Sequence, residues 1–144
     1  MIASRTRWQA ACGLLALVAA GSAVASAPPA TASTDDLTAL LARTAPNADR
    51  HVLKLAATAL RCALQRPELG IKAERLGVID YSRPSTEQRL WVFDLARQRL
   101  LFEEWVAHGR NSGGNRTEHF SNRDGSFMSS IGAFTAQETY MGGN

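Results

Sequence analysis

The hydrophobic period changes once along this chain, at Gly70, and that change limits what it can fold into. Before Gly70, apolar residues recur at helical spacing. After it they fall in short runs broken by turn residues. Ser33-Thr34-Asp35-Asp36 offers cap-type residues and early acids, and Leu37, Leu40 and Leu41 follow at three- and four-residue steps. A short helix is expected there, ending before Pro46. Pro46-Asn47-Ala48-Asp49 reads as a turn and a new cap. Val52, Leu53, Ala56, Leu60, Ala63 and Leu64 then form one stripe on a second helix over residues 50–65, closed by Pro67 and Gly70.

Beyond Gly70 the pattern becomes extended. Leu76 to Tyr81 is strand-like, and Ser82-Arg83-Pro84-Ser85-Thr86 is a turn. Leu90-Trp91-Val92-Phe93 is apolar at successive positions, which suits a central strand covered on both faces. Leu100 to Ala107 admits two readings. Asp94 followed by Leu95, Ala96, Leu100, Leu101, Glu103 and Glu104 has the propensity of a capped helix. The strand before it and the Trp105-Val106 pair favour the return strand of a hairpin. Residues 109–126 are rich in Gly, Asn, Ser, Arg and Asp and form a long polar loop, a kind of segment that often carries function. Met128 to Thr135 reads as a last strand. The fold class expected is α+β, helices first and strands after.

The N-terminus reads as an address. Arg5 and Arg7 precede the apolar run Ala10–Ala20, and Ala23-Val24-Ala25 suits cleavage after Ala25. The run is too short for a span of about 20 residues. Cys12 precedes the run rather than following it, so it is no lipobox cysteine, and Arg5-Thr6-Arg7 is not a twin-arginine pair. The expected organisation is a signal peptide at 1–25, a flexible linker at 26–33, a helical segment at 34–70 and a β domain at 71–144. Export to the periplasm or cell envelope follows, with no integral membrane span after cleavage.

Composition enters through charge and cysteine. The 144 residues hold 16 basic and 13 acidic side chains. The first 25 include two of the arginines and no acid, so the mature part is nearly neutral. No basic stripe remains, and nucleic-acid binding is disfavoured. Cys62 is the one mature cysteine, so an intramolecular disulfide is excluded. On its helical pattern Cys62 reads as a core or half-buried structural cysteine. His51 is eleven positions earlier, about 16 Å along a straight helix, too far to pair with it. His108, Glu118, His119 and Asp124 lack metal-ligand spacing, so no metal and no cofactor are expected. Asn115-Arg116-Thr117 fits a glycosylation sequon.

Several separated stretches, in order, resemble one family. They are Val78-Ile79-Asp80-Tyr81-Ser82-Arg83-Pro84-Ser85-Thr86, Arg89-Leu90-Trp91-Val92-Phe93-Asp94-Leu95 and Val106-Ala107-His108-Gly109-Arg110-Asn111-Ser112-Gly113. Phe120-Ser121-Asn122, Gly125-Ser126 and Ser129-Ser130-Ile131-Gly132-Ala133-Phe134 continue the match, and Ala59 to Leu64 fits upstream. Over roughly residues 50–144 the chain resembles the murein L,D-transpeptidase catalytic domain family, a YkuD-like fold. The resemblance implies a mostly β domain acting on peptidoglycan stem peptides, with a cysteine thiolate attacking an amide and a histidine as its base. That cysteine belongs to a serine-x-glycine-cysteine motif, and a histidine-glycine motif precedes it. Neither has a counterpart before Asn144. The resemblance therefore implies the N-terminal part of such a domain, truncated and inactive as it stands, with no catalytic residue present. His108, Arg110, Asn111 and Ser112 are the candidates for lining the substrate groove, with Arg suited to bidentate contact with a stem-peptide carboxylate. The alternative is a non-catalytic envelope protein that binds peptidoglycan or a partner chain.

Overall fold

A computed structural model describes residues 32–136. The signal segment 1–25, all but the last two residues of the linker 26–33 and the Gly142-Gly143-Asn144 end lie outside them. Helix α1 spans Thr34–Thr44 and begins on a reciprocal cap. The Ser33 hydroxyl oxygen accepts the Asp36 N–H at 3.0 Å, and the Asp36 carboxylate accepts the Ser33 N–H at 3.4 Å. Asp49 caps α2, Arg50–Leu64, accepting the N–H groups of His51 and Val52 at 2.6 and 3.3 Å. A 3-10 turn at Pro67–Leu69 follows. Gly70 closes it in the left-handed region at φ 58°, where a Cβ would be strained. The helix expectations of the sequence therefore hold to within a residue.

Three strands follow: β1 Arg75–Ile79, β2 Leu90–Asp94 and β3 Arg99–Glu104. They form an antiparallel sheet in the order β1-β2-β3. Val78 faces Trp91 across the first pair, and Phe102 faces Val92 across the second. The register then slips so that Leu100 faces Phe93, leaving Leu101 as the extra residue of a bulge. The fold is α+β.

Both helices and the sheet share one core. Leu37, Leu41 and Ala45 from the α1 side meet Leu53, Ala57 and Leu60 of α2, and these join Val78, Trp91, Phe93 and Leu95. Trp91 and Phe93 point from the middle strand into this core, and Trp91 is 0% exposed. The middle strand is covered on one face only. Its other face carries half-buried Leu90 and Val92 beside exposed Ile79 and Phe102, the last 55% exposed. A sheet face that meets water is ordinarily polar, so this outer face is unusually apolar.

The ambiguous stretch after Asp94 is a strand. Asp94 does not start a helix. Its carboxylate accepts the Arg97 N–H at 3.0 Å and the Arg97 guanidinium at 2.9 Å, closing a tight turn in which Gln98 adopts φ 51°. Pairing with β2 then overrides the local helix propensity. The Arg97 N–H first, and its guanidinium second, hold the Asp94 carboxyl below the ordinary carboxylate range. Because folding favours the ionised form, its stabilisation is fully present above the ordinary carboxylate pKa. It fades as pH falls through the lower folded value. Asp94→Asn is expected to lower stability at neutral pH and to flatten the acid limb, read as urea midpoints from about pH 7 down to about pH 3.

One strand expectation fails. Met128 to Thr135 is irregular apart from a single parallel bridge between Phe120 and Ser129. The Ser129 N–H donates to the Ser112 hydroxyl at 2.7 Å, so a side chain takes what a ladder would need.

Candidate functional site

The polar loop after β3 is organised around a buried cation. Arg89, just before β2, is 0% exposed. Its Nε and Nη2 donate to the Val106 carbonyl at 3.1 and 2.8 Å, and its Nη1 donates to the Arg83 carbonyl at 2.8 Å and the Thr117 hydroxyl at 3.4 Å. The guanidinium also lies 5.1 Å from the centre of the Tyr81 ring. Among the described residues no carboxylate pairs with it. Neutral carbonyls, a hydroxyl and a π face share the charge instead. Arg89 Nη2 is 2.9 Å from His108 Nδ1. A guanidinium only donates, so Nδ1 accepts and the ring proton sits on Nε2, which donates to the Gly113 carbonyl at 3.3 Å.

The next residues are bound to a second loop. Gly109 N–H donates to the Ser129 hydroxyl at 2.9 Å, and Asn111 N–H donates to the Phe127 carbonyl at 3.1 Å. The Asn111 side-chain amide donates to the Ser126 carbonyl at 2.9 Å. Ser112 is fully buried. Its carbonyl accepts the N–H groups of Glu118 and His119 at 2.7 and 3.0 Å, while its hydroxyl accepts from Ser129. Gly109 is needed because of close approach: a Cβ there would sit 2.5 Å from the Phe127 oxygen and 2.7 Å from the Ser129 nitrogen.

The four groove candidates thus share one loop but have different occupations. His108 and Ser112 are consumed internally, and Asn111 has committed its amide nitrogen. Arg110 differs. Its side chain makes no hydrogen bond or ion pair among the described residues, and its guanidinium lies 3.7 Å over the Phe127 ring. Phe127 is exposed and holds φ 54°, a left-handed conformation uncommon for an aromatic residue. The strain is sustained by the Asn111 bond to its carbonyl and by the Gly109 contact.

Sequence reasoning missed Arg89 and Phe127 as parts of this site. A lone arginine directly before the apolar run Leu90–Phe93 was the available signal for the first; the second had none. Cys62 corrects another expectation: it is exposed, off the Leu53–Ala57–Leu60 face that enters the core. Among the described residues His108, Glu118, His119 and Asp124 form no group able to hold a metal, and no helix is long and apolar enough to cross a membrane.

A family model for the L,D-transpeptidase catalytic domain matches residues 44–144, from the end of α1 onward. No curated protein and no solved structure matches the chain.

Proposed function

Because the chain belongs to the L,D-transpeptidase catalytic domain family, whose members act in cell-wall cross-linking, we propose that it is exported to the cell envelope and docks a peptidoglycan stem peptide, and that these 144 residues alone do not turn it over. The observation that carries this reading is the Arg110–Phe127 stack. A guanidinium with uncommitted donors, held 3.7 Å over an aromatic ring, suits bidentate capture of a peptide carboxylate. Arg89, His108 and Ser112 then act as positioning residues that hold the loop in shape. Export rests on the Arg5–Ala25 pattern and a division into 1–25, 26–33, 34–70 and 71–144 on the change of character along the chain.

That these 144 residues alone do not turn the stem peptide over follows from their side chains. The two cysteines are Cys12 and Cys62, and neither lies in a serine-x-glycine-cysteine motif. Cys62 sits on a helix whose packed face points elsewhere, with no base near it in the sequence. These residues read as part of a larger catalytic domain, and the apolar outer face of the sheet supports that over a finished binding module. The exposed Ile79 and Phe102 are surface that a further layer would cover.

Incubating the 144-residue chain with a tetrapeptide stem and an acceptor amine is expected to yield no cross-linked product and no thioester mass on Cys62. Cys62→Ser is expected to be indistinguishable from the parent chain in this assay. A product that disappears with Cys62→Ser would overturn the reading.

A further inference from the structure

The turn between the helices, the β1–β2 connection and the end of β3 enclose a second site. It is a shallow cleft of about 380 Å³ bordered by Asn47, Arg83, Glu87, Gln88, Glu103 and Trp105. Trp105 is 60% exposed, yet its indole N–H donates to the Thr86 carbonyl at 3.3 Å, so the ring is held while its surface stays open. An amphipathic ring tethered at its polar end and bare on its face is a preformed platform.

The polar lining is one-sided. Arg83 spends its guanidinium within the protein: Nε faces Asp80 at 3.6 Å, Nη1 donates to the Gln88 carbonyl at 3.2 Å, and Nη2 donates to the Asn47 carbonyl. The Asn47 amide nitrogen donates to Glu103 Oε1 at 3.4 Å, and that of Gln88 donates to the Glu103 carbonyl at 2.9 Å. The NH2 groups of Arg83, Asn47 and Gln88 each donate one bond and keep a second N–H, and the Arg83 charge is paired with Asp80. The charge left without a partner is acidic, on the Glu87 carboxylate and on Glu103, beside the open π face of Trp105. A ligand that meets this unpaired charge and the ring face brings positive charge and donors. An anion would meet two carboxylates that have no cationic partner, and a neutral ligand leaves those carboxylates and the ring quadrupole unused.

We propose that this cleft binds a primary ammonium group, seated against the Trp105 face between Glu87 and Glu103. A diamino-acid side chain of a peptide and an amino sugar both present that group. The site shares no residue with the Arg110–Phe127 stack, so its success or failure is read separately from carboxylate docking.

The test uses the full 144-residue chain and follows the Trp105 indole N–H resonance by NMR. The probes are Nα-acetyl-lysine N-methylamide and methyl glucosaminide, each compared with its own N-acetylated form. At least one amine is expected to bind about tenfold more tightly than its acetylated counterpart, and the one that does identifies the source. Added salt is expected to weaken it. Trp105→Ala and Glu103→Gln are each expected to weaken binding at least about tenfold. Glu87→Gln removes a carboxylate that makes no bond among the described residues, so its loss of affinity cannot come from unfolding. Equal binding of amine and acetylated forms, no binding of either amine, or unchanged affinity in the variants would overturn the proposal.

Discussion

Arg89→Leu is expected to destabilise the chain by about 3–5 kcal/mol, the largest effect of any polar substitution in this protein. Leucine fills part of the volume but returns nothing to the Val106 and Arg83 carbonyls, which lose 2.8–3.1 Å bonds, or to His108 Nδ1. Buried acceptors left without donors cost more than the bonds themselves contribute. A loss of that size corresponds to a melting temperature lower by more than about 10 °C in a domain of this size. Arg89→Lys is expected to recover only part of it, because a single ammonium cannot span acceptors on three sides as the planar fork does. Thermal and urea unfolding of the three chains checks the order: parent above lysine above leucine. A leucine variant that unfolds with the parent would mean that Arg89 is not the buried hub described above.

Gly109→Ala is expected to cost about 1–3 kcal/mol and, in addition, to weaken carboxylate docking at Arg110. The added Cβ meets backbone, not a flexible side-chain end, so the 109–113 and 126–129 segments must separate. Separation breaks the bonds from Gly109 and Asn111 and releases Phe127 from its left-handed conformation. Arg110 then loses the ring that braces it. Gly109 touches no ligand in this account, so a lower affinity in a variant that still melts cooperatively is the mark of a positioning role. Unchanged stability and unchanged affinity together would remove the loop-pinning argument.

The helices were legible because their signals are local. Ser33 with Asp36, Asp49, Pro46, Pro67 and Gly70 each act within a turn of their own position. The strand β3 was not settled by sequence because the choice is made by a distant partner. Ala96, Leu101 and Glu104 favour a helix on their own, and pairing with β2 reverses that. Met128 to Thr135 has the side chains of a strand, but sequence does not show that the Ser129 N–H is taken by Ser112. Cys62 was misread: a stripe carried through Ala63 and Leu64 drew it toward the core, whereas the buried line runs through Leu53, Ala57 and Leu60 and leaves it exposed. The sequence marked residues 108–112 as one polar loop but not which of its side chains stay free. His108, Arg110, Asn111 and Ser112 do share a loop. Which of them is spent internally depends on Arg89, whose burial against neutral acceptors is a tertiary outcome.

Titration of the isotope-labelled 144-residue chain with a tetrapeptide stem, as free acid and as C-terminal amide, is the most direct test of stem-peptide docking. The free acid is expected to shift amide resonances at Gly109–Ser112 and Ser126–Ser129. The amide, and the free acid with Arg110→Gln, are expected to bind at least about tenfold more weakly. Equal binding of acid and amide, or shifts confined to other parts of the chain, would contradict the account.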